Sequence, residues 1–188
     1  MSEADEHSII SAHGGYRGLK SFQMSEIVYD ATVKFCRRFI DSRSRTVDQM
    51  VQAARSGRQN IAEGSMASGT SKKTELKLVS VARASLEELL LDYEDFLRQR
   101  DLPLWGKDDP SSREIRMLGS TSNRSYTTYR TYIEASSPEI AANTLICLIH
   151  QTCYLLDQQS RQLETAFLGK GGFTERLYNA RRSSREKP

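Results

Sequence analysis

The amino-acid sequence predicts an all-α protein: an antiparallel up-down four-helix bundle with a helical insertion before the last long helix and a short C-terminal helix. Apolar residues recur at three- and four-residue spacings in four long stretches, and no stretch alternates with the two-residue period of a strand. The region 48–93 shows this pattern most clearly, because a Gly/Ser-rich turn at 63–71 joins two such stretches. Neither helix of this pair can bury its apolar face alone, so the pair predicts a hairpin within a larger core.

Four long helices are expected, and they span residues 19–40, 45–63, 71–100 and 138–167. Gly64 is expected to end the second helix in the left-handed conformation that glycine adopts without strain. Thr70 and Ser71 are candidate caps for the third helix. The fourth helix is expected to begin at Ser137 and Pro138, since proline suits the first helical position.

The first and fourth helices carry more apolar surface than one neighbouring helix can cover. Two offset apolar rows run along the first helix: Val28, Thr32, Phe35 and Phe39 in one, and Phe22, Tyr29, Cys36 and Ile40 in the other. The first half of the fourth helix is apolar almost all round, and a helix without a polar face is buried on every side. Either a second subunit or a helix at 123–134 would cover it. This surface predicts a homo-oligomer.

The chain length of 188 residues suits a single domain. The expected segments are a disordered N-terminus (1–15), the bundle (16–168) with its insertion (101–137), and a short helix with a basic tail (169–188). The insertion is expected to hold helices at 110–118 and 123–134, and the last segment a helix at 174–181. Asp109 is expected to cap the first of these helices, with Pro110 at its first position.

The location of the protein follows from its cysteines and its lack of long apolar runs. Cys36, Cys147 and Cys153 are too few for a disulfide framework, so free thiols in a reducing compartment are expected. No apolar run approaches the roughly 20 residues that span a bilayer. The acidic start of the chain lacks the pattern of a signal peptide. We therefore expect a cytoplasmic protein with no membrane partner.

Positive charge is concentrated in residues 16–58 and in the C-terminal tail, residues 181–188. The net charge is +3, and residues 16–58 hold nine basic residues against four acidic ones. A basic stripe of this kind can contact phosphates. The alternative is a solvated face whose charge is offset by acidic residues of the third helix. The candidate nucleic-acid-binding residues are Arg37, Arg38, Arg43, Arg45, Arg55 and Arg58.

The residues with chemical potential do not form a catalytic pattern. Cys147, His150 and Cys153 are spaced as C-x-x-H-x-x-C, but on a helix they fan across about 120°, and a structural zinc site needs a fourth ligand. We interpret them as two buried thiols and a partly buried histidine. The sequence has no nucleophile elbow, no phosphate-binding loop and no Glu-x-x-His pair. It predicts no enzyme, no metal and no cofactor.

Two motifs carry a family resemblance. Ala53-Ala54 is followed by Asn60-Ile61-Ala62-Glu63-Gly64, and Ala82-Arg83-x-Ser85-Leu86-x-Glu88-Leu89 stands in the third helix. The chain resembles the four-helix-bundle proteins encoded by intervening sequences within 23S rRNA genes, in the subgroup with a suffix domain. The resemblance implies a ring-shaped homopentamer without catalytic residues. It also implies a likeness to the accessory variability determinant of diversity-generating retroelements. That relative looks like an accessory protein that acts with nucleic acid and a reverse transcriptase.

These observations lead to two alternative functions. One is a bacterial accessory protein that binds RNA or DNA without sequence preference, since no aromatic residue is expected among the outward-facing arginines. The other is a scaffold that binds a protein partner through its insertion or tail. The first motif, Ala53-Ala54 with residues 60–64, is called the signature. Its residues Ala53, Ala54 and Gly64 are expected to be structural, and the alanines permit close approach of helices. Asn60 and Glu63 are expected to bond backbone groups near the turn.

Overall fold

The computed structural model describes residues 13–121, 123–170 and 173–185. The helices are α1 (Lys20–Phe39), α2 (Arg45–Ala67), α3 (Lys72–Arg98), α4 (Pro110–Gly119), α5 (Tyr126–Glu134), α6 (Pro138–Lys170) and α7 (Phe173–Arg185). No strand occurs in these residues, which confirms the all-α prediction. Across the same residues, none of the helices is long and apolar enough to cross a membrane. Most of the predicted N-terminal disorder, at 1–12, and the last three residues of the predicted tail lie outside this description.

The four long helices contact one another in the cyclic order α1, α2, α3, α6 and back to α1. Hydrogen bonds between residues far apart in the sequence join α6 to α3 and to α1. Arg83 of α3 bonds Asp157 of α6 at 2.8 Å, and Ser21 at the start of α1 bonds Gln159 late in α6 at 2.7 Å. The buried core lies between these four helices.

Gly64 does not end α2, so that prediction is wrong. The helix continues through Gly64 to Ala67, and the chain turns afterwards. A Cβ atom added at Gly64 would lie 3.3 Å from the Cβ atom of Leu78, and one at Gly57 would lie 2.9 Å from Cγ of Leu86. Both glycines therefore face α3 and allow the two helices to approach closely. A glycine that ends a helix and one that packs against a neighbour look alike in sequence.

The caps predicted at Ser71 and Asp109 are confirmed, whereas Thr70 does not cap α3, because its hydroxyl donates to the carbonyl of Ala67 at 3.4 Å. The hydroxyl of Ser71 accepts a hydrogen bond from the backbone N–H of Thr74 at 3.1 Å. The carboxylate of Asp109 accepts a hydrogen bond from the backbone N–H of Ser111 at 2.8 Å, and Pro110 occupies the first position of α4. Each side chain satisfies a backbone donor that the first helical turn leaves unpaired.

The insertion covers the apolar part of α6. Residues 141–149 are all buried within the single chain, and α4 and α5 both contact α6. Tyr129 and Ile133 of α5 are fully buried, and α5 packs against both α1 and α6. The apolar character of α6 therefore needs no second subunit at this face, because the chain supplies its own cover.

Candidate nucleic-acid interface

The six candidate arginines lie along α1, the α1–α2 turn and α2, but their surroundings differ. Arg37 and Arg38 are in the last turn of α1, and Arg43 lies in the turn. Arg45 begins α2, and Arg55 and Arg58 lie further along it. Whether each guanidinium can contact a phosphate depends on whether the protein already uses its N–H groups.

Arg38 is engaged by the protein itself. Its guanidinium donates to the backbone carbonyl of Ile133 and, at 3.1 Å, to that of Ser136. The guanidinium also lies over the ring of Phe39, 4.3 Å from the centroid. Arg38 therefore holds the connection between α5 and α6 against the end of α1, and we remove it from the candidate phosphate contacts.

Arg43 is offset by a neighbouring acid. Its guanidinium lies 3.5 Å from the carboxylate of Asp41, and both side chains are largely exposed. The same carboxylate accepts the backbone N–H of Arg43 at 2.9 Å. The adjacent carboxylate offsets the charge of Arg43, so the two residues together add little net positive charge to the surface.

Arg58 is ordered by an aromatic ring that the sequence reasoning missed. Its guanidinium lies over the ring of Tyr29 on α1, 4.4 Å from the centroid, and both residues are partly exposed. The expectation that no aromatic lies among these arginines is therefore wrong at Arg58. Stacking uses the face of a guanidinium and leaves the N–H groups at its edge. Tyr29 thus holds Arg58 in place without occupying its donors.

Three arginines are exposed and free. Arg37, Arg45 and Arg55 have no hydrogen bond or ion pair with any other residue that the structure describes. Arg55 lies three residues before Arg58, so the two are neighbours on the surface of α2. We call Arg37, Arg45, Arg55 and Arg58 the arginine surface.

Acidic residues collect on the other flank of α2, where it meets α3. One hollow there is lined by Asp48 and Glu88, and a second by Asp41, Asp92 and Asp95. Burial raises the pKa of Asp92, and the neighbouring carboxylates of Glu88 and Asp95 raise it further. Carboxylates therefore line the groove between α2 and α3, together with the basic side chain of Arg100.

The signature residues contribute to the α2–α3 contact. Asn60 donates to the carbonyl of Ser56 at 2.9 Å, and the hydroxyl of Ser56 is 3.0 Å from that of Ser85. Ala53 and Ala54 are buried. Asn60 thus bonds backbone as expected, although within its helix and not at the turn. Glu63 is exposed and has no bond to the described residues, so its predicted backbone bond is wrong.

The three thiols are buried, and their burial makes them unreactive. It raises the pKa of Cys36 and of Cys153 to about 12, and it also raises the pKa of Cys147. All three are therefore protonated at neutral pH, where a thiol is a poor nucleophile. His150 is exposed and not partly buried as expected. No cluster of three metal-ligating side chains occurs within the ranges that the structure describes.

Replacing Arg38 with alanine is expected to lower the free energy of unfolding by about 1–3 kcal/mol, because two carbonyls lose a charged donor. Arg37→Ala is the matched control, since Arg37 bonds none of the residues that the structure describes, and it should change stability by less than about 0.5 kcal/mol. Urea unfolding of both variants measures the difference. Equal destabilisation would contradict the role assigned to Arg38.

The chain was compared with models of protein families, with curated proteins and with solved structures, and none of the three comparisons gave a match. The resemblance carried by the two motifs therefore stays a prediction.

Proposed function

We propose that this protein is a non-enzymatic accessory that binds RNA or DNA without sequence preference through the arginine surface. The observation that carries the proposal is that Arg37, Arg45 and Arg55 are exposed and unpaired among the described residues. Arg58 adds a fourth guanidinium, which Tyr29 holds in place. Free guanidinium groups suit phosphate oxygens because they present several N–H donors in a rigid plane.

The proposed unit is an up-down four-helix bundle that assembles into a ring-shaped homopentamer. The cyclic contacts of α1, α2, α3 and α6 support the bundle. The family resemblance alone supplies the number five. A ring would repeat the arginine surface around its circumference, so that weak phosphate contacts add through multivalency. Light scattering at micromolar concentration tests the assembly, and a particle of 21.3 kDa would contradict it.

The absence of sequence preference follows from the type of contact. Contacts to phosphates position a protein but carry no base information. The ring of Tyr29 is covered on one face by Arg58 and is partly buried against the core, which leaves little of it for stacking with an unpaired base. We expect binding that tolerates different sequences and both kinds of nucleic acid.

Fluorescence anisotropy with labelled RNA, single-stranded DNA and duplex DNA of two unrelated sequences tests the proposal. Binding should be similar for the two sequences and should weaken steeply between about 50 mM and about 200 mM salt. No binding at the lower salt would overturn the proposal. The alternative would then be a scaffold for a protein partner, which is favoured by the exposed side chains of Met117 (72% exposed) and Tyr154 (63% exposed) beside the insertion.

A further inference from the structure

A cleft lies between the insertion and α6. Its volume is about 410 Å³, and it is lined by Glu94, Leu104, Trp105, Gly106, Lys107, Ser112, Arg116, Ile146, Cys147 and His150. Clefts of roughly 300–1,000 Å³ with mostly apolar walls and a few convergent polar groups are typical of sites for small molecules. None of these residues belongs to the arginine surface.

The outer wall of the cleft is fixed by a buried amide. Asn143 on α6 is 1% exposed. It donates to the carbonyl of Pro103 at 2.9 Å and accepts the backbone N–H of Trp105 at 2.8 Å. The indole N–H of Trp105 donates to the carboxylate of Glu139 at 3.2 Å. The segment that carries Leu104 and Trp105 is thus held to α6, so a ligand would meet a preformed wall and lose less free energy in ordering it.

The chemistry of the lining is apolar on the walls and positive around the opening. Leu104, Trp105 and Ile146 give the apolar surface. Lys107, Arg116 and His150 are the basic side chains, and Glu94 is the single acidic one. Lys107 and Arg116 against Glu94 leave a net positive charge, and His150 adds a ring N–H donor, so the cleft complements a ligand that has an apolar body and an anionic group.

The basic side chains retain donors for such a ligand. Arg116 donates one N–H to the carbonyl of Lys107 at 2.6 Å, which fixes its guanidinium beside the opening and leaves its other N–H groups. Lys107 and His150 are exposed, and their side chains have no partner among the described residues. Arg116 and His150 also border a second hollow of about 340 Å³, lined by Tyr154 and Leu155. The basic groups therefore stand between two apolar surfaces.

We propose that this cleft binds a small organic carboxylate with an apolar body. The apolar body lies against Leu104, Trp105 and Ile146, and the carboxylate accepts hydrogen bonds from Lys107, Arg116 and His150. This site is independent of the proposed nucleic-acid binding, since it shares no residue with it.

Trp105 provides a direct readout, because it is the single tryptophan of the chain. Octanoate, added to the full-length protein, should change the Trp105 fluorescence saturably, with a Kd on the order of 10⁻⁴ M for a ligand of this size. Octanol and octylamine have the same apolar chain as octanoate, and each should bind about tenfold more weakly than octanoate or worse. Octanol lacks the carboxylate, and octylamine is repelled by the like charges of the basic side chains. Isothermal titration calorimetry of the same three compounds guards against binding that leaves the fluorescence unchanged.

Lys107→Glu reverses one charge at the opening without touching the core, and it should weaken octanoate binding by about tenfold or more. Lys77→Glu is the matched control, because Lys77 is an exposed lysine on α3 that does not line the cleft. It should leave binding unchanged. The proposal is overturned if octanoate does not bind, if octylamine binds as tightly as octanoate, or if the two variants bind octanoate equally well.

Discussion

Phe35→Ala is expected to lower the free energy of unfolding by about 3–5 kcal/mol. Phe35 is fully buried, and its ring contacts three other aromatic rings. The centroid distances are 5.1 Å to Phe39, 4.9 Å to Tyr93 and 4.8 Å to Phe96. These rings join α1 to α3 across the core, so truncation leaves a cavity and removes favourable edge-to-face contacts.

Chemical denaturation followed by circular dichroism measures this loss of stability. Leu91→Ala is the control, because Leu91 is a large apolar residue of α3 that is 62% exposed. It should change the free energy of unfolding by less than about 0.5 kcal/mol. A loss below about 1 kcal/mol for Phe35→Ala would show that the aromatic cluster does not hold α1 to α3 as described.

The double variant Arg55→Glu with Arg58→Glu is expected to weaken nucleic-acid binding by about 10- to 100-fold at low salt, because it removes two phosphate contacts and adds two repulsive charges. The assembly should remain intact, since Arg55 is exposed and Arg58 only stacks on Tyr29. Fluorescence anisotropy measures binding, and light scattering measures the assembly.

The matched control for this variant carries the same change of charge elsewhere. Lys73→Glu with Lys77→Glu alters two exposed residues of α3, away from α1. It should reduce binding far less, through the general charge of the protein alone. A different outcome would place the site in the tail. In that case both double variants bind like the parent and deletion of residues 181–188 abolishes binding, and the arginine surface is a solvated face.

The helices of this protein follow from local sequence pattern. The contacts that determine which side chains are available at the arginine surface and in the cleft do not. Apolar spacing predicts α3 and α6, and Asp109 with Pro110 predicts where α4 begins. By contrast, Arg38 and Arg37 are neighbours of the same type. The packing of α5 against α1 decides that Arg38 bonds carbonyls about 95 residues later in the chain, whereas Arg37 bonds none of the described residues.

The cleft was missed for a similar physical reason. Its residues come from α3, the insertion and α6, from Glu94 to His150. Asn143 holds the wall together, but in the sequence it is one polar residue inside an apolar stretch. Its role depends on a carbonyl and an N–H some forty residues earlier in the chain, and no local pattern encodes such a contact.

The salt dependence of binding shows whether Arg55 and Arg58 contact phosphates. Binding of duplex DNA to the parent and to the Arg55→Glu, Arg58→Glu variant should be measured across a range of salt concentrations. For the parent, the logarithm of the association constant should fall linearly with the logarithm of the salt concentration. Each phosphate contact should contribute about −0.9 to the slope of this line. The slope for the variant should be smaller in magnitude by about 1.8, because the variant loses two phosphate contacts. Parallel lines for the two proteins would contradict the assignment of the arginine surface.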